Sequence, residues 1–288
     1  MSVDHYENFP VASVLCPPAL RPAVRAIYHF ARTADDIADE GDAVATERLS
    51  DLADYRADLE STLAGRTASP RWKPVFGALS HAVSAFSLPA GPLHHLLDAF
   101  EQDVRNPPYA DREALLGYCR LSANPVGRLL LHLYGIRDAV SIGQADAICS
   151  ALQLINFWQD LSVDMPRGRV YLPSADMHAA GVRADDLGAG VDTELSRALV
   201  ACLCAWAANL MRQGAPLALR VPGRAGWELR LVVQGGLRIL EKIGRMNHAV
   251  LSERPVLSSV DGVLIAWRAL GMRASHHPGQ DPAAGART

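Results

Sequence analysis

The run YHFARTADDIADEGD, residues 28–42, read together with LQLINFWQDLSVDMPRGRVYLP, residues 152–173, decides the fold. The first places Asp35 and Asp39 four residues apart, and the second spaces Asn156, Asp160 and Asp164 in the same way. Four residues advance an α-helix by slightly more than one turn, so each set lies along one helical face and presents its oxygens to a common target. A single aspartate pair at this spacing is ordinary on a solvated face, since the chain has 31 acidic residues among 288. The second set is less ordinary, because Ile148, Ala151, Leu152, Leu154, Ile155, Phe157 and Trp158 make its helix apolar nearly all round. Such a helix is normally buried, and buried carboxylates need a metal, a cation or hydrogen bonds to offset desolvation. The target inferred is a diphosphate held by Mg²⁺, which takes one or two carboxylates, several waters and phosphate oxygens. A short polar stripe facing solvent is the competing explanation.

Helical periodicity extends outward from both runs. Leu20, Val24, Ile27, Tyr28, Ala31 and Ala34 form the apolar stripe of a helix over 19–39. Further helices are expected over 46–64, 72–86, 91–104, 111–135, 141–164, 193–219 and 226–251. Turn chemistry separates them at Gly65 to Pro70, Leu88 to Pro92, Asn106-Pro107-Pro108, Gly135 to Asp138, Met165 to Gly168 and Gly188 to Val191. Runs of alternating β-branched residues are absent, which predicts an all-α protein with essentially no sheet. No linker or low-complexity block divides the chain, so a single domain over 1–275 is expected, followed by a disordered Pro/Gly/Ala-rich tail over 276–288.

Composition excludes several functions. The net charge is −3 with scattered Lys and Arg, which argues against a nucleic-acid partner. Five cysteines form no CxxC pair and suit reduced thiols in the cytoplasm; Cys202 and Cys204 point about 200° apart on a helix. His94, His95 and His132 lack partners at metal-ligand spacing and read as structural. No window offers roughly 18 uninterrupted apolar residues, and no basic, apolar leader opens the chain. A Gly-rich dinucleotide fingerprint following a strand is absent too.

Asp35-xxx-Asp39 preceded by Tyr28 and Arg32, and Asn156-xxx-Asp160-xxx-Asp164 followed by Arg169-Val170-Tyr171-Leu172-Pro173, resemble the paired aspartate-rich signatures of the squalene and phytoene synthase family. The likeness runs from about residue 5 to 257. It implies the all-α isoprenoid synthase fold, helices surrounding a central cavity with metals at the mouth and hydrocarbon in the depth. DHYENFPVAS, ARTADDIADEGD, SANPVG and NFWQD are most similar to the hopanoid-pathway branch. That branch implies ionisation of presqualene diphosphate, carbocation rearrangement and capture by water, giving hydroxysqualene and diphosphate. Several Mg²⁺ ions and no NADPH are then expected, in a cytoplasmic enzyme for which peripheral membrane contact on product release and oligomeric state stay open.

The resemblance also assigns site residues. Asp35, Asp39, Asn156, Asp160 and Asp164 would bind metal, and the four aspartates would be catalytic. Arg32, three residues before Asp35, faces phosphate oxygens or instead pairs with Asp35 or Asp36. Tyr28, Arg169, Tyr171 and Arg254 are further substrate-contact candidates. Asn124, with Ser122, either orients the attacking water or simply ends a helix before Pro125. Where the family commonly reads Arg-Asp-x-x-Glu-Asp, this chain reads Gln159-Asp160-Leu161-Ser162-Val163-Asp164, a simplification that suits one diphosphate substrate rather than two. Gly236 stands near the place of a tyrosine in many relatives. The rival expectations are condensation of two prenyl diphosphates to squalene or phytoene, a terpene cyclase or chain-elongating enzyme, and a non-catalytic helical binding protein.

Overall fold

The computed structural model describes residues 16–272, and no strand occurs among them. The expected tail over 276–288 and the opening DHYENFPVAS therefore lie outside the described residues. Four helices, α1 (Arg21–Asp39), α2 (Ala45–Leu63), α3 (Lys73–Phe86) and α4 (Ala90–Arg105), pack around a first core. At its centre Phe30, Tyr55 and Phe76 lie in ring contact, and the Tyr55 hydroxyl donates to the Phe30 carbonyl at 3.1 Å. That bond satisfies the one polar atom such a cluster would otherwise bury unpaired.

The second core forms around α7 (Ala139–Gln159), whose Ala151, Leu154 and Trp158 have no exposed surface. Against it lie α5 (Arg112–Ser122), α6 (Asn124–Leu133), α11 (Glu194–Gly214), α12 (Leu217–Arg220) and α13 (Gly223–Arg245). Short helices α8 (Leu161–Asp164), α9 (Ser174–Ala179) and α10 (Ala184–Gly188) join α7 to α11, and α14 (Ser259–Gly271) packs on α13. The stretch Glu194–Arg220 is long and apolar enough to cross a membrane by length and composition. In the fold its Leu199, Leu203, Ala207 and Met211 are core residues.

Several expected helices prove to be pairs. The helix expected over 111–135 breaks at Ala123, beside the N–H-less Pro125, into α5 and α6. The helix expected over 141–164 breaks at Asp160, and the one over 193–219 breaks before Pro216. Helices α9, α10 and α14 were not expected, the first two because five or six residues carry too little periodicity to register.

Glycine allows α7 and α11 to approach closely. A Cβ on Gly214 would sit 2.5 Å from Ile148 Cγ1 and 2.6 Å from the Gln144 carbonyl oxygen, so the side chain has nowhere to go without moving backbone. Gly214→Ala is expected to lower stability by about 1–3 kcal/mol, read as a lower urea midpoint with an unchanged slope.

Candidate active site

The two sequence ladders face one another across the junction of the cores. Asp39, on the last turn of α1, bonds the guanidinium of Arg169, five residues beyond Asp164. Asp164 lies in the electrostatic field of Asp39 as well as of Asp160. Each ladder also ends its helix: α1 closes at Asp39, and α7 closes at Gln159 with Asp160 as its C-terminal cap. Helix C-termini carry partial negative charge, so carboxylates there add to an already negative potential.

A third carboxylate joins them. Asp103, near the end of α4, shares a recess of about 210 Å³ with Asp39, Arg48 and Arg169. Burial pushes its carboxyl up to about 7, an effect that the Tyr118 hydrogen bond opposes, Asp39 reinforces, Arg169 opposes and Asp35 reinforces. Tyr118 donates its hydroxyl to Asp103 Oδ2 at 3.0 Å. Burial likewise raises the Asp164 carboxyl to about 6, with Asp160 adding to the rise. Sequence reading missed Asp103 because no acidic residue stands four positions from it; the signal available was its place in the last turn of a helix, before Asn106-Pro107-Pro108.

Cations hold the carboxylates in place. Arg32 pairs with Asp35 at 3.1 Å, Asp36 at 2.7 Å and Glu40 at 2.7 Å, which is the ion-pair alternative to the phosphate-facing expectation. Arg254 grips both oxygens of Asp160. Arg48, not anticipated, donates to the carbonyls of Ile37, Gly41 and Ala43 and so caps the end of α1 that carries the first ladder. The Asn106 amide donates to the Gly168 carbonyl at 2.9 Å, tying the end of α4 to the loop that carries Arg169.

Below the ladders lies an apolar cavity of about 410 Å³, with Tyr28 from α1 and Asn156 from α7 in its wall. Val24, Ile27, Ala31, Val126, Leu130, Ile148, Leu152 and Leu229 supply much of the lining, with Ser122, Gln153 and Glu228 among the polar groups. Phe30 and Leu129 do not line it but are fully buried in the first core, and Phe157 is buried in the second.

Two candidates stand differently from expectation. Asn124 is buried between α6 and α7, where its Oδ1 accepts from Ser150 Oγ at 2.9 Å, and it does not line the cavity. Asn124 opens α6 just after the break at Ala123, and Ser150 holds its side-chain oxygen. Tyr171 lines neither cavity; its ring stacks on Phe157 at 3.8 Å between centroids, and its hydroxyl lies in the field of Asp103, Arg169 and Asp164. Among the described residues no three His, Cys, Asp or Glu side chains cluster closely enough to hold a metal by themselves. A Cβ at Gly236 would meet Met211 Cε at 2.8 Å and Ile155 Cδ1 and Leu152 Cδ2 at 3.2 Å, so a larger residue there would have to displace these side-chain ends.

This helical fold with acidic helix ends above an apolar cavity matches the Squalene/phytoene synthase family model over residues 3–261, and the chain belongs to that family of enzymes. A hydroxysqualene synthase of Rhodopseudomonas palustris is 36% identical over 92% of this chain and 88% of its own length. Another from Zymomonas mobilis is 41% identical over 63% of this chain and 60% of its own. Among solved structures, squalene synthase HpnC from Alicyclobacillus acidocaldarius is 37% identical and superposes with a TM-score of 0.78, covering 85% of this chain and 90% of that one.

Asp103 is protonated in the folded protein at pH values where the unfolded chain, near the ordinary 3.8, has ionised. The folded state then binds the extra proton, so this group's contribution to stability is lost as pH rises from about 4 through about 7. Without added divalent metal, melting temperature is expected to fall as pH is raised from 5 to 8, and Asp103→Asn to flatten the decline. A variant with the same pH slope as wild type would contradict the assignment.

Proposed function

We propose that the chain is a Mg²⁺-dependent hydroxysqualene synthase, converting presqualene diphosphate and water into hydroxysqualene and diphosphate. The observation that carries this reading is the meeting of two ladders, joined through Asp39 and Arg169, beside an apolar cavity walled by Tyr28 and Asn156 from the same two helices.

The donor set suits magnesium. All candidate ligands are oxygens on Asp35, Asp39, Asn156, Asp160 and Asp164, and the half-buried Asp164 and Asp103 carboxyls resist ionising without a nearby cation. The lack of a three-ligand cluster agrees with ions shared between few carboxylates and the substrate's own phosphate oxygens. Bound there, Mg²⁺ would neutralise charge developing on the departing diphosphate. Arg32, Arg169 and Arg254, now paired with carboxylates, would turn their donors toward phosphate oxygens. The cavity would fold the C30 chain and limit how many waters reach the cation.

Water capture needs no reductant: the cation gains a C–O bond and the water loses one proton. The simplified second motif supports a single diphosphate substrate. Gln159, at the position of the family's common arginine, is buried and donates its amide to the Pro255 carbonyl at 2.7 Å. Squalene formation is the second reading, favoured by the name of the solved relative.

Purified protein with Mg²⁺ and presqualene diphosphate, without NADPH, is expected to yield a C30 alcohol with its oxygen from solvent, tested in ¹⁸O-labelled water. A hydrocarbon product, or turnover only with farnesyl diphosphate, would defeat the proposal. Asp160→Ala is expected to cut diphosphate release by at least about a hundredfold while leaving the far-ultraviolet helical signal unchanged.

A further inference from the structure

One polar side chain in the apolar cavity has no task in the site described so far. From Ala151 to Gln159 on α7, the residues that are not buried are Leu152, Gln153 and Asn156, and all three line the cavity. Leu152 is apolar, and Asn156 belongs to the second ladder. Gln153 is neither. Its carboxamide brings donors and an acceptor into a wall that is otherwise mostly hydrocarbon, and no group among the described residues hydrogen-bonds it. A polar group held in an apolar space without a partner is unfavourable, so the amide is explained by a small polar ligand that the cavity admits.

Depth singles out what that ligand meets. Three residues advance an α-helix by about 4.5 Å, so Gln153 lies that far below Asn156 on nearly the same face. A diphosphate held at the ladders has its ester carbon directly beneath it, and rearrangement moves the positive charge only onto carbons next to that one. The other polar groups of the cavity lie deeper or are closed off. Helix α13 runs toward the mouth, since Arg254 and Pro255 beyond its end meet Asp160 and Gln159. Glu228 comes eight residues before Gly236, which packs level with Leu152 and Ile155, and so sits about 12 Å deeper. Tyr134, at the C-terminal end of α6, gives its hydroxyl to Cys16 in the field of the same Glu228 carboxylate. The Ser122 hydroxyl oxygen is buried and offers water almost no surface.

We propose that the Gln153 carboxamide positions the water molecule that captures the carbocation. The inference rests on the function proposed above and names the residue that decides its outcome. The amide oxygen accepts one hydrogen of the water, which turns a lone pair toward the cationic carbon. The ester C–O bond has broken with its electron pair on the diphosphate, a new C–O bond forms from the water oxygen, and the proton that the water loses passes to a diphosphate oxygen. Gln153 stays neutral throughout and is a positioning residue. Without a held water the cation instead loses a proton to the diphosphate and leaves as a hydrocarbon.

The test measures diphosphate release and C30 products together, using full-length protein with Mg²⁺ and presqualene diphosphate, without NADPH. Wild type is expected to give the alcohol. Gln153→Met, close in volume and a good helix former, is expected to lower the ratio of alcohol to hydrocarbon at least about tenfold while diphosphate is still released. Gln153→Asn keeps an amide one methylene shorter and is expected to recover part of that ratio. Circular dichroism and thermal melting check that each variant is folded, and Gln153→Leu repeats the test should Gln153→Met not be. An unchanged product ratio in a folded variant would overturn the proposal. So would diphosphate release that falls in step with the alcohol, which would place Gln153 in ionisation rather than in water capture. Hydrocarbon from wild type itself would defeat the function proposed above and this inference with it, whereas the variant outcomes defeat this inference alone.

Discussion

Repulsion among carboxylates at three helix ends is the constraint on which the rest of the structure turns. Helices α1, α4 and α7 each finish at the junction of the two cores, and each brings an acidic side chain into its last turn or cap: Asp39, Asp103 and Asp160. Peptide dipoles and side chains there have the same sign, so the arrangement is costly by itself. The chain meets the cost in two ways. Arginines from distant segments, Arg169 and Arg254, neutralise Asp39 and Asp160, while Asp103 and Asp164 hold their protons more tightly than ordinary carboxyls. Both devices leave a site that gains when a divalent cation and its anionic substrate enter together.

Below that charged rim the requirement is the reverse. The cavity keeps an almost wholly apolar wall because α7 is apolar on most of its circumference and its neighbours meet it through small residues. Gly127 brings α6 against Cys149, Gly214 brings α11 against Ile148, and Gly236 brings α13 against Ile155. Helices held this tightly define the shape of the space between them, and side-chain volume at those contacts would be transmitted to the cavity wall. The aromatic stack of Phe157, Tyr171 and Tyr118 continues this packing up to Asp103, coupling the apolar core to the acidic rim through the Tyr118 hydroxyl.

Helix content was legible because periodicity is local. The stripe from Leu20 to Ala34 and the apolar girth of α7 mark their helices without knowledge of any partner. The breaks were only partly legible: Pro125 announces the end of α5, whereas Asp160 interrupts its helix in a run that periodicity reads as continuous. Cavity lining was not legible at all. Phe30 and Leu129 satisfy a pattern for burial, yet burial in a core and exposure to an internal cavity leave the same hydrophobic signature.

The sequence by itself determined the all-α class, the two acidic ladders and the kinship that they signal, since spacing of four residues marks side chains that share a face wherever the helix runs unbroken. Only the tertiary structure decided that Arg169 reaches Asp39, that Asp103 completes the acidic rim, and that Asn124 spends its oxygen on Ser150. These are meetings between residues far apart in the chain, 130 positions in the first case. Local pattern carries no information about such pairs, because the angle and depth at which helices cross are set by packing of whole faces rather than by any one turn.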